Sequence, residues 1–282
     1  MLRVSRDGLD PSRLGLRRTV RFTSAVTSPL CFLASRAEPA AADAEYASVL
    51  AFAGLQAEQL VRIRLDQGEE PGPLTQYSGV ILGGSPFTVS TPESDKSTVQ
   101  TRVEAMLMDA LDQVVADQIP FLGLCYGIGV VGRWAGGLVD GRYAEDTAAV
   151  TIRLTDEGLA DPLLAGMPDS FEAYVGRKEA CTQLPAGAVV LAGSSACPVQ
   201  MYRFAPRAYV TQFHPEMDAE AVRLRIEVYA HAGYFPPDEV EEVIARTARA
   251  DVRPAHQVLR SFAALALDRP EQWAAGESAV AS

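Results

Sequence analysis

Ile119-Pro120-Phe121-Leu122-Gly123-Leu124-Cys125-Tyr126-Gly127 is an apolar run that stops at a cysteine set between two glycines. Ile119 to Leu124 reads as a buried strand, and Ile128 to Ala135 as the start of an apolar helix. A strand, a sharp turn and a helix, with the reactive atom on the turn, make a nucleophile elbow. Such a turn strains the backbone at the nucleophile, so its neighbours must be small, and Gly123 and Gly127 meet that need. A thiol at Cys125 also sits at a helix N-terminus, where the dipole favours thiolate over thiol. Cysteines in general are more often buried and structural. What decides against that here is a second stretch, Gln212-Phe213-His214-Pro215-Glu216. A nucleophile needs a base, and the base needs an orienting group. His214, just after a predicted strand, supplies the first; Glu216, two residues on, supplies the second; Pro215 stiffens the link between them.

Outward from the elbow, the chain alternates strands and helices. Pro29 to Ser35, Gln59 to Leu65 and Ser78 to Leu82 read as buried strands. Ala40 to Ala53 reads as a helix closed by Gly54, and Asp95 to Gln118 as a long helix with Val99, Val103, Leu107, Leu111 and Val114 at helical spacing. Short loops joining such elements predict an open, mostly parallel sheet with helices on both faces. Beyond the elbow helix the texture changes. Thr147 to Leu154, Ala188 to Ala192, Gln200 to Phe204 and Ala208 to Phe213 read as strands, and Met217 to Ala232 as a helix. Tyr234-Phe235-Pro236-Pro237 breaks the chain. Two amphipathic helices, Asp238 to Ala250 and Pro254 to Leu267, precede an Ala-, Glu- and Ser-rich tail. The expected divisions are an N-terminal extension over 1–28, a main domain over 29–234 and a C-terminal helical extension over 235–282.

Composition narrows the function. A net charge of −11 over 282 residues argues against a nucleic-acid partner. Apolar runs fall short of the roughly 20 residues of a membrane span. Cys31, Cys125, Cys181 and Cys197 lack metal-type spacing, and His214, His231 and His256 are too dispersed for a zinc motif. A reduced, cytoplasmic protein without metal or cofactor is expected. Residues 1–28 carry six arginines and little apolar periodicity; a transit peptide, a disordered extension and an early start codon all fit them. The apolar residues of the two C-terminal helices suit either a homodimer contact or packing on their own domain.

The motifs resemble those of class I glutamine amidotransferases, of the type found in the amidotransferase domain of GMP synthase. The resemblance rests on Val80-Ile81-Leu82-Gly83-Gly84-Ser85-Pro86, on Gly123-Leu124-Cys125-Tyr126-Gly127, on Gly136-Gly137 and on Thr211-Gln212-Phe213-His214-Pro215-Glu216. Asp161-Pro162-Leu163-Leu164 and Leu184-Pro185 lend weaker support. The match runs from about residue 29 to about residue 234, and it implies a flavodoxin-like fold. It further implies that Cys125 attacks the γ-amide carbon of glutamine, that His214 shuttles the proton, and that Glu216 orients His214. A γ-glutamyl thioester follows, which water hydrolyses. Expected oxyanion donors are the N–H of Tyr126 and one from the Gly84–Ser85 loop.

Three departures bear on substrate. Members of this family usually carry Gln four residues after the nucleophile, where this chain has Gly129, and a histidine where it has Arg177. Ser85 stands where Gly is common. Gly129 is expected to leave volume, with Arg177 as the candidate for the substrate carboxylate. Three functions compete. The first is a glutaminase feeding ammonia to a separate synthase subunit. The second is a γ-glutamyl peptidase-like hydrolase of a larger γ-glutamyl compound. The third is a non-catalytic binding or regulatory module. Residues 235–282 are too short for an acceptor domain, so the first reading expects the acceptor on another chain.

Overall fold

A computed structural model describes residues 28–230 and 237–267. Most of the N-terminal extension, part of the Tyr234–Pro237 break and the tail beyond Leu267 lie outside them. The chain order is β1 (Leu30–Ala34), α1 (Pro39–Ala53), β2 (Leu60–Arg64), β3 (Val80–Leu82), α2 (Thr98–Ala116), β4 (Phe121–Leu124) and α3 (Tyr126–Trp134). It continues through β5 (Leu138–Asp140), β6 (Glu145–Leu154), α4 (Asp156–Ala160), β7 (Ser170–Arg177), β8 (Ala180–Gln183), β9 (Val189–Gly193), β10 (Met201–Ala205) and β11 (Ala208–Thr211). Three helices close it: α5 (Ala219–Val228), α6 (Val240–Thr247) and α7 (Gln257–Leu267).

Nine strands form one sheet in the order β2-β1-β3-β4-β11-β10-β9-β6-β7. Pairing is parallel from β2 to β11 and antiparallel from there to β7. β5 and β8 make a separate antiparallel pair. This is the α/β architecture expected from the alternation of elements.

The inner parallel strands β1, β3 and β4 are apolar throughout because both faces are covered. Alternate residues along a strand point to opposite sides, and the two cores divide accordingly. Leu30, Phe32 and Ala34 of β1 join Leu122, Leu124 and Tyr209 in one core, roofed by Val49 of α1 and by Val258, Leu259 and Phe262 of α7. Cys31 and Leu33 join Phe121, Ala208 and Val210 in the other, under Val103, Leu107 and Leu111 of α2 and Val130 of α3. The helix ends follow local chemistry. Pro39 opens α1, where its missing N–H costs nothing, and Gly54 at φ 70° ends it. The Ser97 side chain accepts from Gln100 N at 3.1 Å to cap α2.

Of the two C-terminal helices, α7 belongs to the first of these cores and α6 to a third, smaller one. α7 lies on α1 and β1, while α6 sets the fully buried Val243 against Tyr174, Met217, Val222 and Ile226. The apolar residues Val243, Val258, Leu259 and Phe262 are thus spent within the chain. The sequence reading passed over β5, β7 and β8. Of these, β7 matters most, because it forms one wall of the site.

Candidate active site

Cys125 follows β4 directly, with φ 48° and ψ −84°, a conformation that a residue with a side chain adopts only at a cost. Its N–H donates to Thr211 O at 2.7 Å, so β11 fixes the turn from the neighbouring strand. Gly123 is required by packing: a Cβ there would lie 3.1 Å from both Gly127 Cα and Val210 Cγ1. Gly127 is not squeezed in the same way, since its Cβ would meet Leu82 Cδ2 at an ordinary 3.6 Å. The requirement for smallness therefore falls on the residue two before the cysteine. Cys125 is half-buried, whereas the other three cysteines are buried. Burial pushes the Cys31 thiol up to about 12 and the Cys181 thiol up to about 11, and it raises Cys197 as well.

β11 delivers the second half of the site. Since β4 and β11 pair in parallel, with Leu124 opposite Thr211, the residues leaving their C-terminal ends emerge side by side. Gln212 Nε2 lies 3.9 Å from Cys125 Sγ. His214 is held by its N–H, which donates to Tyr174 O of β7 at 2.9 Å. Its Nδ1 lies 2.7 Å from Glu216 Oε1. Burial pulls the His214 imidazole down, but the charges of Glu216 and Cys125 outweigh it and lift the group from 6.5 to about 9. Burial pushes the Glu216 carboxyl up, and the opposing pull of His214 and Arg225 brings it well below the usual range. The turn itself is braced from α7's end of the chain: His256 Nδ1 donates to Pro215 O at 2.7 Å while its ring stacks on Phe52 at 3.7 Å.

Two cavities meet at Cys125, sharing Ser85 and Gly176 in their walls. One runs past His214 to Arg36, Arg225 and Tyr229. Its floor is a buried ion cluster in which Glu45 Oε1 accepts from Arg36 Nε at 3.2 Å and Arg225 Nη2 at 3.0 Å. The other runs past Tyr126 to Gly129, Arg177 and Glu179. Here the expectation that Gly129 leaves volume is corrected. A Cβ at Gly129 would lie 3.0 Å from Glu179 Oε1 and 3.2 Å from Val89 Cγ2. Glu179 fills that space, accepting from Val89 N at 2.7 Å and Ser90 N at 2.9 Å. Burial raises its carboxyl above the usual range despite those donors. Arg177 lines the same cavity, but its Nε donates to Tyr143 O at 2.8 Å and its Nη2 lies 2.5 Å from Glu145 Oε2, an ion pair without hydrogen-bond alignment. Its Nη1 and Nη2 are buried and make no hydrogen bond.

Sequence reasoning thus named Cys125, His214, Glu216, Ser85, Tyr126 and Gly129, which the structure brings together, and missed Glu45, Glu179 and His256. Glu45 carried a readable signal, since it shares the buried face of α1 with Ala41 and Val49 at helical spacing. Glu179 and His256 act through tertiary contacts that no local spacing announces. Among the described residues, no group of three or more His, Cys, Asp or Glu is placed to hold a metal ion, and no helix is long and apolar enough to cross a membrane.

Residues 47–226 match the model of the family described as glutamine amidotransferase class-I. A GMP synthase [glutamine-hydrolyzing] of Neisseria meningitidis serogroup C is 26% identical over 176 residues, covering 60% of this chain and 31% of that protein. One from Pseudomonas aeruginosa is 27% identical over 188 residues, covering 62% of this chain and 33% of its own length. The chain therefore matches about a third of the length of these relatives. Among solved structures, a glutamine amidotransferase of Thermotoga maritima superposes with a TM-score of 0.68 at 18% identity, over 86% of this chain and 99% of that one. A glutamine amido transferase from Methylobacillus flagellatus gives 0.63 at 19%, over 86% and 96%. With the family model spanning well over half of its residues and the same α/β sheet beneath it, the chain belongs to the class I glutamine amidotransferases.

Proposed function

We propose that the protein hydrolyses the γ-amide of glutamine through a covalent intermediate on Cys125. The observation that carries this reading is the placement of a strained, half-exposed cysteine beside a His214–Glu216 pair just past the end of the adjacent parallel strand. Cys125 Sγ attacks the amide carbon, and the proton it gives up rests on His214. Glu216 holds Nδ1–H, leaving Nε2 to carry that proton to the departing ammonia. The tetrahedral oxyanion is taken by the N–H of Tyr126, which opens α3, and by the N–H of Ser85. Gly84 N–H, the other amide of that loop, already donates to Glu45 Oε1 at 3.0 Å. Water then cleaves the γ-glutamyl thioester, with His214 as general base, and glutamate leaves. The relatives named GMP synthase support passage of the ammonia to a synthase.

A second reading draws on the two cavities. Glu179 fills the space beside Gly129, while the Arg36 and Arg225 side stays open past His214. A γ-glutamyl amide with a bulkier amine than ammonia fits an opening on the far side of the nucleophile. Incubation with glutamine and with γ-glutamyl dipeptides, scoring ammonia, glutamate and free amine, separates the two readings. Cys125→Ala should abolish product from either substrate. Turnover that survives in Cys125→Ala, or none in the wild type with either substrate, would sink both.

A further inference from the structure

Resting on the reading of Ser85 N–H as an oxyanion donor, we propose that Ser35 and Glu45 are positioning residues that set the direction of that N–H. The two peptides on either side of Gly84 Cα are each held by a buried side chain from outside the loop. The first peptide presents Gly84 N–H to Glu45 Oε1 at 3.0 Å. The second presents Gly84 O to Ser35 Oγ, which donates at 3.2 Å. Gly84 O and Ser85 N–H belong to the same trans peptide, so they point in opposite directions. Fixing the carbonyl on Ser35 therefore aims the Ser85 N–H away from β1, and Ser85 itself borders both cavities at Cys125. Ser35 and Glu45 are fully or almost fully buried.

The loop's glycines record how closely this clamp is applied. A Cβ at Gly83 would lie 2.8 Å from Glu45 Oε2 and 2.8 Å from Phe32 Cζ. One at Gly84 would lie 2.5 Å from Arg36 Nη2. At Gly83 no side chain fits between the loop and the Glu45 that holds it. Glu45 is in turn fixed by Arg36 and Arg225, and Arg225 also lowers Glu216 by its charge. One carboxylate on α1 thus spans the oxyanion loop and the helix behind the Cys125–His214–Glu216 triad. An oxyanion stabiliser acts by being oriented before charge develops, so loosening it weakens the transition state more than ground-state binding.

The test compares two reactions of Cys125 that need no glutamine. Acylation by p-nitrophenyl acetate breaks the ester C–O bond, forms a thioester and passes through an oxyanion. Alkylation by iodoacetamide displaces iodide at sp³ carbon and forms none. Cys125→Ala gives the background. Loss of a whole oxyanion donor costs about 10²–10³ in rate, so Ser35→Ala, which misaims one, should slow acylation by about ten-fold while alkylation stays within about two-fold. Glu45→Ala should do the same, and Glu45→Gln, which keeps an acceptor oxygen, should restore most of the loss. If Glu45→Ala does not fold, Ser35→Ala decides. A Ser35→Ala acylation-to-alkylation ratio within about two-fold of wild type overturns the clamp, as does a parallel fall in both rates. A wild type that alkylates but never acylates overturns it too, because no donor would then be in place. A wild type that acylates but leaves glutamine untouched removes the glutaminase reading, and the ratio in Ser35→Ala still decides the clamp.

Discussion

Glu45 and Glu179 are both buried carboxylates, one on each cavity that meets Cys125, and they are held in opposite ways. Glu45 sits between two guanidiniums and one main-chain N–H. Glu179 has no guanidinium beside it: it accepts from the main-chain N–H groups of Val89 and Ser90, and the Ser90 side chain also favours its charged form. The first arrangement ties three separate segments, α1, α5 and the loop after β3, so its removal strands charges on all sides. The second ties one loop to one strand end, and burial still raises the Glu179 carboxyl. A buried acid surrounded by cations is a tertiary fastener. A buried acid held by neutral donors is a spacer that fills volume.

The contrast can be broken at several points. Glu45→Ala is expected to have the largest effect. Leaving Arg36 and Arg225 without their shared carboxylate should cost about 3–5 kcal/mol, read as a shift in the urea midpoint. A loss below about 1 kcal/mol would place the cluster with surface pairs and erase the distinction. Gly129→Gln comes next. Its side chain must displace Glu179 and Val89, so about 1–3 kcal/mol of stability should go, and glutamine turnover should fall. A stable Gly129→Gln protein with a lower glutamine KM would show that Glu179 swings aside readily, contrary to a spacer. Gly129→Ala adds one carbon against a carboxylate oxygen and should show the same signs at the lower end of that range.

The smallest expected effect is a pH slope. The His214 group is raised in the folded protein from 6.5 to about 9. A raised group stabilises fully below its unfolded value, and the contribution is lost as pH rises through the folded one. Thermal stability should therefore decline between pH 6.5 and about 9. Glu216→Gln removes the charge facing Nδ1 and should flatten that decline. An unchanged slope in Glu216→Gln would assign the pH dependence elsewhere.

The parallel half of the fold was legible because β1, β3 and β4 are short apolar runs buried on both faces, and the helices between them carry long periodic stripes. The elbow and Gln212–Glu216 were legible for a different reason: each is a compact local pattern whose chemistry needs those residue types together. β7 escaped notice although Ser170–Arg177 borders the site, since only its pairing with β6 and the Tyr174–His214 bridge reveal what it does. Gly129 was misjudged for a related reason. A glycine in a sequence looks like empty space, and the group that occupies the space, Glu179, lies fifty residues along the chain and on another element. The Tyr143 and Glu145 contacts that hold Arg177 are likewise tertiary and leave no mark in the local sequence.

The join between β4 and β11 bears on the order in which the molecule is made. Gln212 and Cys125 are separated by 87 residues, and the brace on Pro215 comes from His256, 41 residues further on. Contacts of that range form late in folding, because the intervening chain must be closed into a loop first. Cys125 precedes in the chain every residue that brings the imidazole of His214 beside it from β11. On the proposed function, a truncated product ending before Ala208 would carry the nucleophile without its base, because His214 follows β11.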